Sequence, residues 1–518
     1  MQNGLISPLL DQWARTSIGR IGQRVERVPV RRKRKMLVIH LDGVPKDLLD
    51  DAVATGRMPF LSSLVRSGAY HLDSAFWGSP ASTPCFQAGL LYGVRHPNLP
   101  AYSWFDRGLK RKVQMNTPKD AQVMEARLGR ATRESLLEGG GTTYLSLFDG
   151  KASNLLCMTA LADIKRLIKS LAGDLRGIRG GQRRGVMAYL WSLVQDTWTT
   201  GLDVFAWARR VNDWRHEREY LLNRFFMISL AWEMAHSRTL VDMVRGVPSI
   251  YLVFGNYDEI AHRRGPRSEQ ALRELYRVDG YLAEIYAVAR TLEEPYDVYF
   301  VTDHGHVDSS PIEKRIGQNL ERYLLQGPPA ELKASTRRAL LDGRTYTPES
   351  PVQVRDTPVV IEAGNFAHIY LSQRAEPLEA AQLLQHFPEV LARATSHPDL
   401  GIVALRRGDS AVAVVQGEVY TPDQIDHAPL SSGFSKRAVA DLLRELPHMK
   451  TAGDLVLYGE VCQPGGTVGF AWEFGSHGGL TQIETNSVVC WPASAPLNLS
   501  GLSHATQLHQ RLSEVYRA

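Results

Sequence analysis

Three short apolar runs, MLVIHL at 36–41, SIYLVF at 249–254 and DVYFVT at 297–302, each stop at glycine or aspartate. Apolar runs of this length, rich in β-branched and aromatic residues and closed by turn formers, suit buried strands. Helices are predicted after the first run, over Lys46–Ala54 and Pro59–Ser67, with Pro59 at a first helical position and Gly68 as the stop. Another is predicted between the second and third runs, from Ser268 to about Leu292. Strands alternating with helices imply a mostly parallel α/β sheet. Polar residues collect just past the strand ends, where open α/β sheets place their sites.

Elsewhere the pattern changes. From 161 to 247 there is almost no strand signal, and Trp191, Trp198, Trp207 and Trp214 recur among leucines and arginines, which reads as a helical insertion. From 376 to 450 a small α+β insertion is expected. It has a helix over Leu378–Ala394, strands at Ile402–Leu405 and Ala411–Val415, and a helix near Ser435–Leu446. The run Asp454–Tyr458 is expected to return to the main sheet. Segments 36–160, 248–375 and 451–518 would then form the catalytic core, preceded by a basic extension, 1–35.

A 518-residue chain with 44% hydrophobic and 22% charged residues can bury a large core. Its net charge of +5 does not predict specific nucleic-acid binding, which needs a clustered basic face. The run Arg31-Arg32-Lys33-Arg34-Lys35 reads as a solvated flank guarding the first strand, with peripheral contact to anionic lipid as the alternative. Cys85, Cys157, Cys462 and Cys490 are too widely spaced for a thiolate metal site. No signal peptide and no apolar stretch long enough to span a bilayer is seen, so the expected location is cytoplasmic, with membrane association left open.

Five segments carry the chemistry. They are Leu41-Asp42-Gly43-Val44, Ser82-Thr83-Pro84, Tyr257-Asp258-Glu259-Ile260-Ala261-His262, Thr302-Asp303-His304-Gly305 and Gly475-Ser476-His477-Gly478-Gly479. Singly, each reads as a turn or a cap. Together they supply three aspartates, three histidines and a hydroxyl, a donor set suited to two divalent ions. Asp258 and His262 stand four apart and share one helical face. Adjacent Asp303 and His304 converge only in an irregular loop, which Gly305 permits.

This ordered set resembles the alkaline phosphatase superfamily, and within it the type I phosphodiesterase/nucleotide pyrophosphatase branch. The resemblance is strongest at 42–104, 251–315 and 453–480, and no motif covers the two insertions. It implies a three-layer α/β fold with a mostly parallel sheet flanked by helices. It also implies two divalent metal ions, zinc by habit of the branch, with manganese compatible by ligand type. Asp42, Thr83, Asp303 and His304 would hold one ion, and Asp258, His262 and His477 the other. Thr83, ahead of the apolar run Phe86–Leu91, would attack phosphorus in a small phosphate-ester substrate, and water would then cleave the phosphothreonine. Where the branch places a phosphate-orienting asparagine, this chain has Tyr102, with Asn98 nearby. His306, after Asp-His-Gly, reads as a histidine of the pocket wall or behind the ligands rather than as a ligand. These three are the candidate substrate-binding residues.

Hydrolysis of a phosphodiester or pyrophosphate is thus the leading expectation, with a phosphomonoesterase as the alternative. A sulfatase would need C-x-P-x-R, which Cys85-Phe86-Gln87 does not supply. A non-catalytic scaffold at a membrane surface is the reading from another class, and it has no need of two metals. Ser82 is the alternative nucleophile. His40, His71, His96 and His368 show no partner pattern and read as structural.

Overall fold

The computed structural model describes residues 7–28, 32, 34–132, 134–162, 194, 197–198, 201–203, 217–218, 220–221, 231–341, 354–462 and 465–517. Its centre is a seven-stranded sheet in the order Tyr70–Ala75, Ser487–Pro492, Tyr296–Val301, Lys35–Leu41, Ser249–Phe254, Thr142–Tyr144, Asn154–Leu156. Lys35–Leu41 lies parallel between Ser249–Phe254 and Tyr296–Val301, with Met36 opposite Ser249 and Lys35 opposite Tyr296. Ser487–Pro492 runs antiparallel to both of its neighbours. The three central strands are the three apolar runs of the sequence, and layers cover both faces. Leu37, Ile39 and Leu41 pack with Leu275, Leu282 and Ile285 of helix Glu269–Thr291. Met36 and Val38 pack with Leu90 and Leu508 of helices Thr83–Tyr92 and Ala505–Tyr516. Side chains alternate between faces with period two, so a strand apolar on both needs a layer on each.

A second sheet of six antiparallel strands has the order Val354–Ala363, Phe366–Ser372, Leu455–Gly459, Leu400–Arg407, Ser410–Val415, Glu418–Tyr420. Val403, Leu405, Val412 and Val414 face helices Ala380–His386 and Pro388–Ser396. Ile402, Ala404, Ala411 and Ala413 face helix Lys436–Glu445 on the other side. Two expectations change here. Leu455–Gly459 pairs inside this second sheet and does not return to the first. The unit also takes in Val354–Ser372, so it extends past 376–450 on both sides. A short strand buried on both faces reads the same in either sheet, and its partners cannot be told from its pattern. The helix expected over Leu378–Ala394 is two helices, broken at Phe387-Pro388, because residues before proline disfavour helical backbone.

The basic run is used within the fold. Arg32 donates to Tyr516 O at 2.6 Å, Glu138 O at 3.1 Å and Ser249 Oγ at 3.3 Å. Arg34 forks onto Asp297 at 2.8 and 2.9 Å, and Lys35 pairs with Glu294. These three cations tie the entry of the central strand to its surroundings, which replaces both the solvated-flank and the lipid-docking reading for them. Arg31 and Lys33 lie outside the described residues, as does most of 161–247, including Trp191, Trp207 and Trp214. Helix Ala231–Arg245 in that span is described, and its Trp232 is buried edge-on against Phe254 at 4.5 Å. No helix among the described residues is long and apolar enough to cross a membrane.

Candidate active site

Three adjacent parallel strands end at one edge of the main sheet, and each delivers an acidic side chain there. Asp42 follows Leu41, Asp303 and His304 follow Val301, and Phe254 leads through Gly255 into helix Asn256–Arg264, which carries Asp258 and His262. His477 arrives from elsewhere. It follows the two-residue strand Gly475–Ser476, which pairs antiparallel with Val307–Pro311, the strand that leaves the Asp-His-Gly loop. Thr83 is the first residue of helix Thr83–Tyr92, whose N-cap is Ser82. That helix is buried almost all round. Gly89 lets it press on the C-terminal helix, since a Cβ there would lie 2.6 Å from that of Ala505.

The seven expected side chains come together. Thr83 Oγ1 donates to Asp42 Oδ1 at 3.3 Å and lies 3.2 Å from His304 Nε2. His304 Nε2 is 3.2 Å from Asp303 Oδ2 and 3.6 Å from Asp42 Oδ1. Asp258 stands 3.6 Å from His262 Nε2 and 3.7 Å from His477 Nε2. The rings of His304 and His477 stack at 3.8 Å and join the two groups. Asp42, Thr83, Asp258, His262 and His477 line a cavity of about 340 Å³. Asp303 and His304 lie buried behind it.

Charge explains what the cluster lacks. Burial, with Asp303 and Asp258 close by, pushes the Asp42 carboxyl well above the usual carboxylate range. Burial would raise Asp303 as well, but His304, His40 and the Gly43 N–H outweigh it and hold this carboxyl low. Asp258 is likewise held well below its usual range, against burial, by His262, His306 and His477. Burial tends to lower His262, yet Glu473 and Asp258 bring it up to about 10. His477 is driven well down by burial and by His304, which leaves its ring lone pair available. Asp303 Oδ2, His304 Nδ1 and His477 Nδ1 are buried without a hydrogen-bond partner among the described residues. Crowded carboxylates, lone-pair imidazoles and unsatisfied donor atoms fit divalent cations, which supply the missing positive charge. Three overlapping groups have their ligand atoms within 4.8 Å of one another: Asp258–His262–His306–His477, His40–Asp42–Asp303 and Asp42–Asp258–His304.

The candidate substrate contacts divide. Tyr102 lines the cavity, and burial pushes its phenol pKa up, so it stays a hydrogen-bond donor. Asn98 does not line it; its backbone N–H donates to His96 Nδ1 in the preceding turn. His306 does not line it either. Its Nε2 is 2.6 Å from Asp258 Oδ1, among the ligand atoms and beneath the cavity surface. That strand-side position follows from the start of Val307–Pro311 directly after it.

Two residues escaped the sequence reading. His40, taken as structural, is fully buried with Nε2 at 3.0 Å from Asp303 Oδ1 and Nδ1 at 2.7 Å from the Tyr251 hydroxyl. It holds the Asp303 carboxylate in place. Glu473 Oε2 lies 3.1 Å from His262 Nδ1 and does the same for that ring. A histidine inside an otherwise apolar strand was the available signal for the first, since a buried polar group needs a partner. Glu473 had none.

A sequence model of the type I phosphodiesterase / nucleotide pyrophosphatase family matches residues 36–407, most of the chain. The chain belongs to that family. No significant match is found among curated protein sequences. Among solved structures, murine ectonucleotide pyrophosphatase / phosphodiesterase 5 is similar over 93% of this chain and 95% of its own, at 12% identity and a TM-score of 0.47. Phosphonoacetate hydrolase from Sinorhizobium meliloti 1021, in complex with phosphonoformate, is similar over 93% and 96%, at 15% identity and a TM-score of 0.44.

Proposed function

We propose that the chain is a metal-dependent phosphohydrolase that cleaves a phosphodiester or pyrophosphate bond through a covalent adduct on Thr83. Family membership supports the reaction class. The observation that carries the rest is the Thr83 hydroxyl, set at a helix N-terminus between Asp42 and His304 and opening onto the cavity. In this reading Asp42, Thr83, Asp303 and His304 hold one divalent ion and Asp258, His262 and His477 a second. Zinc suits the mixed set, and manganese suits its carboxylate share. Bound divalent ions would act as Lewis acids, lowering the pKa of the threonine hydroxyl and offsetting phosphate charge.

The residues of the chain do the positioning. Asp42 and His304 fix the direction of the Thr83 hydroxyl. In the first turn of its helix Pro84 has no N–H and that of Phe86 is bonded to Ser82 O, so the N–H groups of Thr83 and Cys85 are the ones left for the incoming anion. Thr83 Oγ bonds to phosphorus as the bond to the leaving oxygen breaks, and the hydroxyl proton is released. The leaving oxygen departs in line toward Asp258, His262 and His477. Tyr102 donates to a non-bridging oxygen. Water then breaks the bond between Thr83 and phosphorus and restores the hydroxyl. A cavity of about 340 Å³ has room for an organic group beyond one phosphate, as a monoester or a diester requires.

The test is turnover of aryl phosphate diesters and monoesters with added zinc or manganese, by the wild type and by Thr83→Ala. Diester turnover that disappears in Thr83→Ala is expected. Equal rates in the two proteins contradict the nucleophile, and a monoester preference hands the site to the phosphomonoesterase reading.

A further inference from the structure

The residue after the Asp-His-Gly loop has no role in the reaction just described, yet the topology sends it into the same space. Ser476 pairs with Val307 in an antiparallel ladder, and Gly475 with Asp308. One step further, the register sets His477 opposite His306. Directly opposed residues in such a ladder point to the same side. The two rings accordingly lie 4.9 Å apart, and His306 lies 4.5 Å from His262. The ligand atoms of Asp258, His262, His306 and His477 all fall within 4.8 Å of one another.

His306 is 1% exposed, and its Nδ1 has no hydrogen-bond partner among the described residues. Its polar link is Nε2 to Asp258 Oδ1, the same oxygen that His477 approaches. Gly43 leaves room for this pair. A Cβ at that position, where φ is +73°, would meet both Asp258 Oδ1 and His306 Cδ2 at 2.8 Å. A histidine meant only to fill space would not need its nitrogen held against a ligand oxygen.

We propose that His306 is a fourth protein ligand, beside Asp258, His262 and His477, to the divalent ion at that end of the site. The inference rests on the two-ion reading above and extends its ligand set from seven residues to eight. One carboxylate and three imidazoles form a complete four-donor set, as in closed sites, whereas three donors leave a position open. With His306 the protein alone would supply four donors to the ion at this end.

A crystal structure of the wild-type protein soaked in zinc tests this without any variant. A His306 nitrogen at about 2.0–2.1 Å from a zinc that also binds Asp258, His262 and His477 is the expected result. Zinc on those three residues, with His306 outside ligand distance and still bonded to Asp258, overturns the fourth ligand and leaves the proposed function standing. No zinc at the site overturns both. Zinc titration against a competing chelator gives a second readout. His306→Ala and His306→Gln should each weaken one of two bound ions by more than the roughly 100-fold that losing a histidine behind the ligands costs, and leave the other unchanged. A smaller loss, or two unchanged affinities, overturns the proposal.

Discussion

At the scale of single residues, Thr83 shows how little a motif says without its surroundings. A threonine hydroxyl is a weak nucleophile, and its activation depends on what lies within about 3 Å of it. Asp42 and His304 occupy those positions, brought there from 41 and 221 residues away in sequence. These partners were legible because each sits in its own short motif at a strand end. His40 was not, since it lies inside a strand and its contact with Asp303 exists only in the folded chain. His40→Ala should lower the affinity for one divalent ion by about 10- to 100-fold, because histidines behind a ligand tune it by that much. Zinc titration checks this, and unchanged binding would return His40 to a purely structural role.

Elements carry the next layer, and Asp279 gives it a number. This residue of helix Glu269–Thr291 accepts hydrogen bonds from Phe60 N at 2.7 Å and Leu61 N at 2.9 Å, at the start of helix Pro59–Arg66. Met58 provides no side-chain cap there, so a carboxylate from another helix does the work. Asp279→Ala should cost about 1–3 kcal/mol, read by urea unfolding, because two buried donors lose their acceptor. Burial raises the Asp279 pKa from its ordinary 3.8 to about 6, against those two backbone hydrogen bonds. The folded state thus holds the proton more tightly than the unfolded chain. The associated stability is full below pH 3.8 and is lost as pH rises through about 6. Asp279→Asn should flatten the stability profile across that window, and an unchanged slope would contradict the shift. Sequence placed helix Pro59–Arg66 within a residue, because proline and glycine mark its ends. The cap lies 219 residues away in sequence and no local pattern announces it. The same limit explains Leu455–Gly459, whose apolar run was visible and whose sheet was not.

In the whole molecule, both sheets contribute to one cavity. The strand ends of the first supply the carboxylate cluster, while Glu362, Ala363 and Phe366 of the second form part of the wall. The placement of the cluster was legible because open α/β sheets hold their sites just past the strand C-termini. The wall was not, because side-chain contacts between the two units, such as the Phe105 N–H donating to the Tyr370 hydroxyl, leave no motif. Bringing Asp42, Asp258 and Asp303 together builds a repulsion that divalent ions relieve, so ion binding should stabilise the folded chain. At a free zinc concentration about a hundredfold above Kd the gain is about 2.7 kcal/mol. A chelator should therefore lower Tm and zinc should restore it, whereas a Tm indifferent to both would contradict the cation site.

The central claim is the covalent adduct on Thr83, and it can be observed directly. Zinc-loaded protein turning over an aryl phosphodiester is quenched in acid, digested, and its peptides are mapped by mass spectrometry. The account predicts an adduct on Thr83 that carries the phosphoryl group with its remaining ester substituent, absent from Thr83→Ala. Turnover with no adduct at any time point, or an adduct on Ser82, would contradict it.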